Sequence, residues 1–286
     1  MLRTAITADA KQTITNRTME SLLEYSFFQN AIIATLLISI CCGVVGTYIV
    51  ARRMVFIGGG ITHASFGGLG VAYYLGVTPL LGATVGALIS SIALTWLSKD
   101  KKIREDSLIG IFWSVGMAIG ILFMNMTPGY VPNLVSFLFG NILTVTPELL
   151  TFAAILTAII VLFFALLYRP LFYFAFDKEY CKTNNRNIVL LEYGSMIIIA
   201  LTIVLCMKLA GIILVISYLT IPQAIGSLMT KDFKKLLILS TLISIFGSVI
   251  GLWASALLNT PSGATIVICF LIILALCWSY KKIRNR

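Results

Sequence analysis

Long apolar runs, separated by short polar connections, dominate the hydrophobic pattern of this chain. Most runs approach the roughly 20 residues that a helix needs to cross the hydrocarbon core of a bilayer. They are continuously apolar instead of alternating with a period of two, so they predict membrane-spanning helices and argue against a β-barrel. Nine crossings are predicted, at Phe27–Val50, Phe56–Gly76, Pro79–Ser98, Ser107–Met126, Glu148–Tyr168, Ile188–Met207, Leu209–Ile225, Leu236–Leu258 and Ala264–Trp278.

One further apolar stretch, Leu134–Val145, is too short to cross the membrane alone. We expect it to share a crossing with the segment that follows, or to dip into the membrane and return. Eight crossings would result if one short pair of segments is re-entrant. The predicted fold class is all-α, a polytopic membrane helix bundle of about nine transmembrane helices in one domain over residues 25–286. Residues 1–24 are polar and predict a tail or a surface helix.

The basic residues mark one side of this predicted bundle. The net charge is +10, from 21 Lys and Arg and 11 Asp and Glu. With nine crossings, five basic clusters that hold 17 of those 21 residues fall on the same side. They are Arg52–Arg53, Lys99–Arg104, Arg169–Arg186, Lys231–Lys235 and Lys281–Arg286. By the positive-inside rule this side is cytoplasmic, which predicts an external N-terminus and an internal C-terminus.

The composition excludes several classes of function. Hydrophobic residues make up 59% of the 286 residues and charged residues 11%, against about 25% charged residues in an ordinary soluble domain. This balance excludes a soluble enzyme, a disordered protein and a nucleic-acid-binding domain. The phosphate-binding pattern of a P-loop does not occur, so we expect neither ATP hydrolysis by this chain nor a tightly bound cofactor. Any ATP-driven step would need a motor on another polypeptide.

The single histidine of the chain, His63, lies within the second predicted span. The positions that share its helical face are Gly59, Gly67, Gly70 and Tyr74. Two interpretations remain open from these residue types. Small residues four apart let helices pack closely, with the histidine hydrogen-bonded to a neighbour. Alternatively, the glycines and Thr62 line a pathway in which the imidazole is a transient ligand of a divalent transition metal.

Two other polar features adjoin the predicted spans. Glu148 and Glu192 lie near span ends and are expected at the interface, although Glu192 would line a pathway if its helix turned inward. The seventh span is expected to end at Pro222, before a short amphipathic stretch that reaches Lys235. This stretch is either a connector that lies in the headgroups or a docking helix for a cytoplasmic partner.

Six short motifs, in order along residues 30–280, resemble those of one transporter family. They are Arg52–Arg53–Met54, Gly58–Ala64, Phe139–Val145, Phe176–Glu179, Pro222–Leu228 and Pro261–Val267. The chain is similar in them to the metal-cation class of ABC importer permeases, which carry zinc, manganese or iron. One such motif has little specificity, whereas six in order on a matching span pattern have much more.

The resemblance implies a function and a set of sites. His63 would contact the metal in a pathway lined by Gly59, Gly67, Gly70 and Thr62. The segment 222–235 would dock on an ATPase, through Pro222, Gln223, Ala224, Gly226, Ser227 and Lys231. Two permease subunits would form a homodimer in the bacterial cytoplasmic membrane. A cytoplasmic ATP-binding subunit and an extracytoplasmic metal-binding protein would be the partners.

One position departs from the family pattern. Many members carry an aspartate four residues before this histidine, where this chain has Gly59. Oxygen ligands suit manganese, so the loss weakens a manganese assignment relative to zinc or iron. The alternative functions are a permease for a metal chelate, such as a siderophore or cobalamin, and a stand-alone secondary metal transporter. The latter needs intramembrane carboxylates for ion coupling, and the spans offer only Glu148 and Glu192 at their edges.

Overall fold

The computed structural model describes residues 23–99, 103–128, 140, 142–177, 180–181 and 187–284. Within them lie ten α-helices and one short 3₁₀ turn, Ile142–Thr144. The helices are α1 (Ser26–Ala51), α2 (Ile57–Tyr74), α3 (Pro79–Leu97), α4 (Glu105–Met126), α5 (Pro147–Leu166), α6 (Tyr168–Phe176), α7 (Ile188–Ala210), α8 (Ile212–Met229), α9 (Phe233–Leu258) and α10 (Ser262–Arg284). All except α6 have 18 residues or more, and these nine follow the predicted crossings in order.

Eight of the described helices are long and apolar enough to cross a membrane. The ninth, α2, is not among them because it is rich in glycine. Its 18 residues measure roughly 27 Å, close to the roughly 30 Å of the hydrocarbon core. It packs extensively against α3 and α4, and most of its residues are buried. The prediction of an all-helical membrane bundle is confirmed, and its least apolar long helix is shielded from lipid.

Two predicted boundaries are wrong, each for a local reason. The seventh span does not end at Pro222, because α8 continues through that proline to Met229; membrane helices tolerate an internal proline when neighbouring groups satisfy the freed backbone. The corner between α7 and α8 lies at Gly211, whose φ of 87° favours glycine. Lys208 therefore belongs to the last turn of α7.

Several predicted features lie largely outside the described residues. Of the tail predicted at residues 1–24, only Leu23 and Glu24 are described. Of the short apolar stretch at 134–145, the structure describes residue 140 and residues 142–145, which contain the 3₁₀ turn. Parts of two family-like motifs, at residues 139, 141, 178 and 179, also fall outside.

The helices form a buried centre and an outer ring. The most apolar windows of α1 and α7 are 72% and 61% buried, whereas those of α4, α5 and α10 are each 28% buried. Large apolar side chains, such as Ile119, Ile155 and Leu271, are exposed on the outer helices. Water does not accept so much apolar surface, so the outer ring is the layer that lipid or another membrane subunit covers.

The described members of the five basic clusters lie at one end of the bundle. Contacts connect four of the clusters directly: Arg52 lies over the Phe174 ring at 4.6 Å, and the rings of Phe172 and Phe233 are 5.3 Å apart. The ammonium of Lys281 donates to the Leu228 carbonyl at 2.7 Å. The fifth cluster joins through Lys99, whose partner Glu192 lines a cavity together with Arg52. We call this end of the bundle the basic end. The positive-inside rule predicts that it faces the cytoplasm.

Candidate functional site

His63 lies in α2, against the side of α4. Its residue is 8% exposed, and its ring stacks on that of Trp113, with centroids 4.2 Å apart and planes inclined by 18°. Among the described residues the buried Nδ1 atom has no hydrogen-bond partner. The hydrogen bond to a neighbouring helix that the packing interpretation expects is therefore not formed by this nitrogen. The imidazole is held by a flat aromatic surface.

Gly59 provides the space for this stack. A Cβ atom added at Gly59 would lie 2.5 Å from Cζ3 of Trp113, which is far inside van der Waals contact. The indole of Trp113 thus occupies the space that a side chain at position 59, such as the aspartate of other family members, would need. An aspartate at position 59 is not compatible with this placement of Trp113.

Gly67 and Gly70, which share the helical face of His63, pack against α4 of the same chain. A Cβ atom at Gly67 would lie 2.8 Å from the Gly116 carbonyl oxygen, and one at Gly70 would lie 2.5 Å from the Gly120 carbonyl oxygen. The two helices therefore touch backbone to backbone. Close packing explains why positions 67 and 70 are glycines, and their role in lining a pathway remains a prediction.

Thr62 has its polar group satisfied locally. It is fully buried, and its hydroxyl donates to the Gly58 carbonyl one turn earlier. The hydroxyl oxygen keeps its lone pairs, but full burial of Thr62 separates this oxygen from any solvent-filled space in this conformation.

Sequence reasoning missed the α4 half of the site. Trp113 supplies the stacking surface, and Gly116 and Gly120 admit the α2 backbone. The signal was present as a small-x-x-x-small spacing at positions 116 and 120, which favours close helix contacts. It does not identify the partner helix, so only the folded arrangement connects it to His63.

A small polar cavity lies beside this site, toward the basic end. Its volume is about 50 Å³, and Arg52, Thr95, Glu105, Ile109 and Glu192 are among the residues that line it. The predicted interfacial carboxylate Glu192 is only 6% exposed. The orientation of α7 places Glu192 inside the bundle. The sequence predicts that Glu192 lines a pathway if its helix turns inward.

Glu192 is paired with a lysine from the connection after α3. Its Oε2 atom lies 3.5 Å from Nζ of Lys99, which also donates to the Tyr193 hydroxyl at 3.3 Å. The hydrogen bond to Tyr193 raises the pKa of Lys99 above its ordinary value, and the nearby Glu192 carboxylate acts in the same direction. Lys99 therefore remains positively charged at neutral pH.

The predicted coupling segment divides into buried and exposed residues. Pro222, Gln223 and Gly226 are buried in the bundle. The Gln223 amide donates to the Cys42 carbonyl at 2.9 Å, and a Cβ at Gly226 would lie 2.8 Å from Leu236. These three positions pack α8 against its neighbours and cannot touch a partner directly. Contact with a partner falls to the exposed positions, which are Ala224, Ser227 and Lys231.

A groove runs along these exposed positions at the basic end. It has a volume of about 630 Å³ and lies between the end of α8 and the end of α10. Ser227, Lys231, Tyr280, Lys281 and Arg284 contribute to its walls. The groove combines three basic side chains with apolar ones such as Leu228 and Leu276. It adds the end of α10 to the surface that the sequence placed on residues 222–235 alone.

The described residues of one chain contain no group of three or more His, Cys, Asp and Glu side chains that could hold a metal ion. In this part of the chain a metal would therefore meet at most two side chains of these four types at a time. Such weak binding suits a pathway from which an ion must leave again.

Comparison with known proteins extends over nearly all of this architecture. The sequence pattern of the ABC 3 transport family matches residues 24–281. The chain belongs to the ABC 3 transport family. An uncharacterized membrane protein of Synechocystis is 41% identical over 261 residues, with 90% of this chain and 93% of the relative covered. The manganese transport system membrane protein MntC of Halalkalibacterium halodurans is 30% identical, with 92% and 90% covered.

A solved structure shares the fold. PsaBC from Streptococcus pneumoniae in complex with Fab contains a chain that aligns with a TM-score of 0.81 at 28% identity, covering 92% of this chain and 95% of that chain. This ABC 3 chain is accordingly a multi-pass permease of the metal-transport type in the bacterial cytoplasmic membrane.

Proposed function

We propose that this chain is the permease subunit of an ATP-driven importer of divalent transition-metal ions, with manganese, zinc and iron as the candidate substrates. Two copies enclose the pathway, a separate cytoplasmic subunit hydrolyses ATP, and an extracytoplasmic protein delivers the metal. Membership of the ABC 3 family and the likeness to MntC support the class of substrate.

The buried imidazole of His63 carries this proposal. Leaving a buried polar atom without a partner costs about 1–3 kcal/mol, yet the Nδ1 atom of His63 is in that condition. Neutral imidazole nitrogen is a good ligand for zinc and iron, whereas manganese prefers oxygen ligands. A passing ion would supply the missing partner.

The arrangement suits transfer and not storage. A single imidazole from one subunit holds a metal weakly, and the equivalent imidazole of a second subunit would supply another ligand. The stacking on Trp113 limits rotation of the ring, so its nitrogen atoms stay in a defined direction while the ion moves.

The basic end provides a surface for the ATPase. The exposed residues Ser227 and Lys231 border the groove between α8 and α10. Binding and release of ATP by a subunit seated there would move α8, whose buried residue Gln223 is bonded to α1. The two subunits would then alternate between outward- and inward-open states, driven by contacts that differ between those states.

The test is metal uptake by cells that express the chain with its ATPase and binding protein. His63→Ala should lower uptake on the order of tenfold or more, the usual cost of losing a group that supports a bound metal. Cellular zinc, manganese and iron are measured together, which also identifies the preferred substrate. Ser65→Ala is the matched control, because the Ser65 hydroxyl donates only to the Ile61 carbonyl of its own helix. Wild-type uptake by His63→Ala at equal membrane abundance would remove His63 from the pathway.

A further inference from the structure

The cavity of about 50 Å³ lies between His63 and the basic end of the bundle. Ile57 of α2 and Ile109 of α4 line it. Ile57 precedes His63 by six residues, and Ile109 precedes Trp113 by four, which is roughly 6–9 Å along the helix axes. An ion that leaves the imidazole toward the basic end therefore meets this cavity next.

The burial of the Glu192 carboxylate is energetically unfavourable. A buried carboxylate in a membrane bundle is rare and costly, and such groups mark ion pathways more often than packing. The Glu192 side chain is 8% exposed, whereas that of its partner Lys99 is 42% exposed. Lys99 lies beyond the end of α3 at Leu97, so it can withdraw into solvent without moving a helix.

Among the described residues that line the cavity, together with Lys99, the formal charges balance. Glu192 and Glu105 contribute two negative charges, and Arg52 contributes one positive charge. The Arg52 guanidinium is held over the rings of Phe174 and Tyr48, at 4.6 and 5.9 Å. Lys99 supplies the second positive charge from 3.5 Å. Its departure leaves one net negative charge, which favours entry of another cation.

We propose that Glu192 is a ligand for the divalent cation on its way out of the pathway, and that the Lys99 ammonium occupies this carboxylate whenever the metal is absent. This assignment rests on the proposed function. It adds a second metal-binding position, with an oxygen ligand, to the position at His63 with its nitrogen ligand.

The chemistry and the size of the cavity fit a nearly bare ion. The Glu192 carboxylate and the hydroxyls of Thr95 and Ser98 are oxygen donors of the kind that manganese prefers. A cavity volume of about 50 Å³ has room for an ion with a few waters, since one water needs about 10–15 Å³ of such volume. A siderophore or cobalamin does not fit. Return of Lys99 to the carboxylate displaces the cation and prevents its rebinding.

A structural role for the pair makes a different prediction. If Lys99 and Glu192 only tie the α3 end to α7, each single substitution breaks the same link and the two variants behave alike. If the carboxylate binds the cation, the two substitutions change the metal affinity in opposite directions. A substitution of Glu192 removes the ligand, whereas a substitution of Lys99 removes its competitor.

The experiment measures Mn²⁺ binding to the purified full-length chain by the electron paramagnetic resonance signal of free Mn²⁺. Glu192→Gln should weaken the affinity about tenfold or more, and Lys99→Gln should strengthen it by a similar factor. In cells with the complete transporter, Lys99→Gln should slow uptake because the ion is retained. Glu148→Gln is the control, because it removes an exposed carboxylate from the opposite end of the bundle and should match the wild type.

Two results would overturn the proposal. The first is equal loss of Mn²⁺ affinity in both single variants. The second is restored uptake in the charge-exchanged double variant Lys99→Glu with Glu192→Lys, which rebuilds the pair but not the ligand's position. If Glu192→Gln does not fold, Glu192→Asp and Lys99→Gln carry the same comparison. Absence of metal uptake by the wild type would instead remove the proposed function, whereas wild-type uptake by a folded Glu192→Gln variant would remove only the exit ligand.

Discussion

The surroundings of His63 and Glu192 hold a polar side chain inside the bundle by different interactions. His63 lies in an apolar setting, where the Trp113 ring and close backbone contacts hold it. Glu192 faces the ammonium of Lys99 and a cavity with polar side chains. Close packing thus positions the imidazole, whereas a carboxylate buried in the bundle needs a partner of opposite charge. We expect substitutions to damage the first region through packing and the second through charge.

The largest effect is expected where α2 and α4 touch. In Gly116→Ala the new Cβ would lie 2.5 Å from the His63 carbonyl oxygen and from Cα of Ala64, so the backbones must separate. Overpacking of this kind costs about 1–3 kcal/mol, and the melting temperature of the purified chain should fall accordingly. Gly110→Ala is the matched control in the same helix, because nothing lies within 4 Å of its added Cβ. Equal stability of the two variants would show that the interface is not rigid.

A smaller effect is expected where the His63 ring meets Trp113. Gly59→Ala adds a methyl group that would lie 2.5 Å from the indole, so the indole must move and the stack must break. Metal uptake should fall several-fold, about the cost of a misplaced ligand. Trp113→Leu removes the same stack, so adding it to Gly59→Ala should cause little further loss. A further loss of similar size in the double variant would mean that Gly59 acts independently of Trp113.

The smallest effect is expected at the hydroxyl that positions Lys99. Tyr193→Phe keeps the ring, over which the Lys99 ammonium lies at 4.5 Å, and removes the oxygen that accepts its hydrogen bond. The loss lowers the pKa of Lys99 toward its ordinary value. Because the lysine charge is present below that pKa and lost above it, the alkaline limit of uptake should move to lower pH. At neutral pH uptake should change by at most about threefold, since the pair is partly exposed. An unchanged alkaline limit would separate Lys99 from the exit step.

The helices were predictable to the extent that hydropathy alone controls them. Runs of apolar residues near 20 long correspond to nine helices in the right order, because each such run satisfies its own backbone inside a bilayer. The end of the seventh span was not predictable, since Pro222 normally disfavours a helix interior. The structure keeps α8 helical to Met229, with Gln223 bonded to α1, a contact that depends on a residue 181 positions away.

The candidate site was only half visible for the same reason. His63 and its glycines attracted attention because a polar group in an apolar span is costly. Trp113 and Lys99 did not, since an aromatic residue in a span and a lysine after one are both ordinary in membrane proteins. Their meaning depends on which helix faces which.

The sequence by itself determined that this chain is a helical membrane bundle, that its basic clusters share one side, and that His63 is its one imidazole, because composition and period act locally along the chain. The tertiary structure decided that the indole of Trp113 fills the space beside Gly59, that α7 turns Glu192 inward, and that Lys99 reaches its carboxylate. These contacts join residues 54 and 93 positions apart. No local pattern encodes such pairs, because the packing of whole helices determines them.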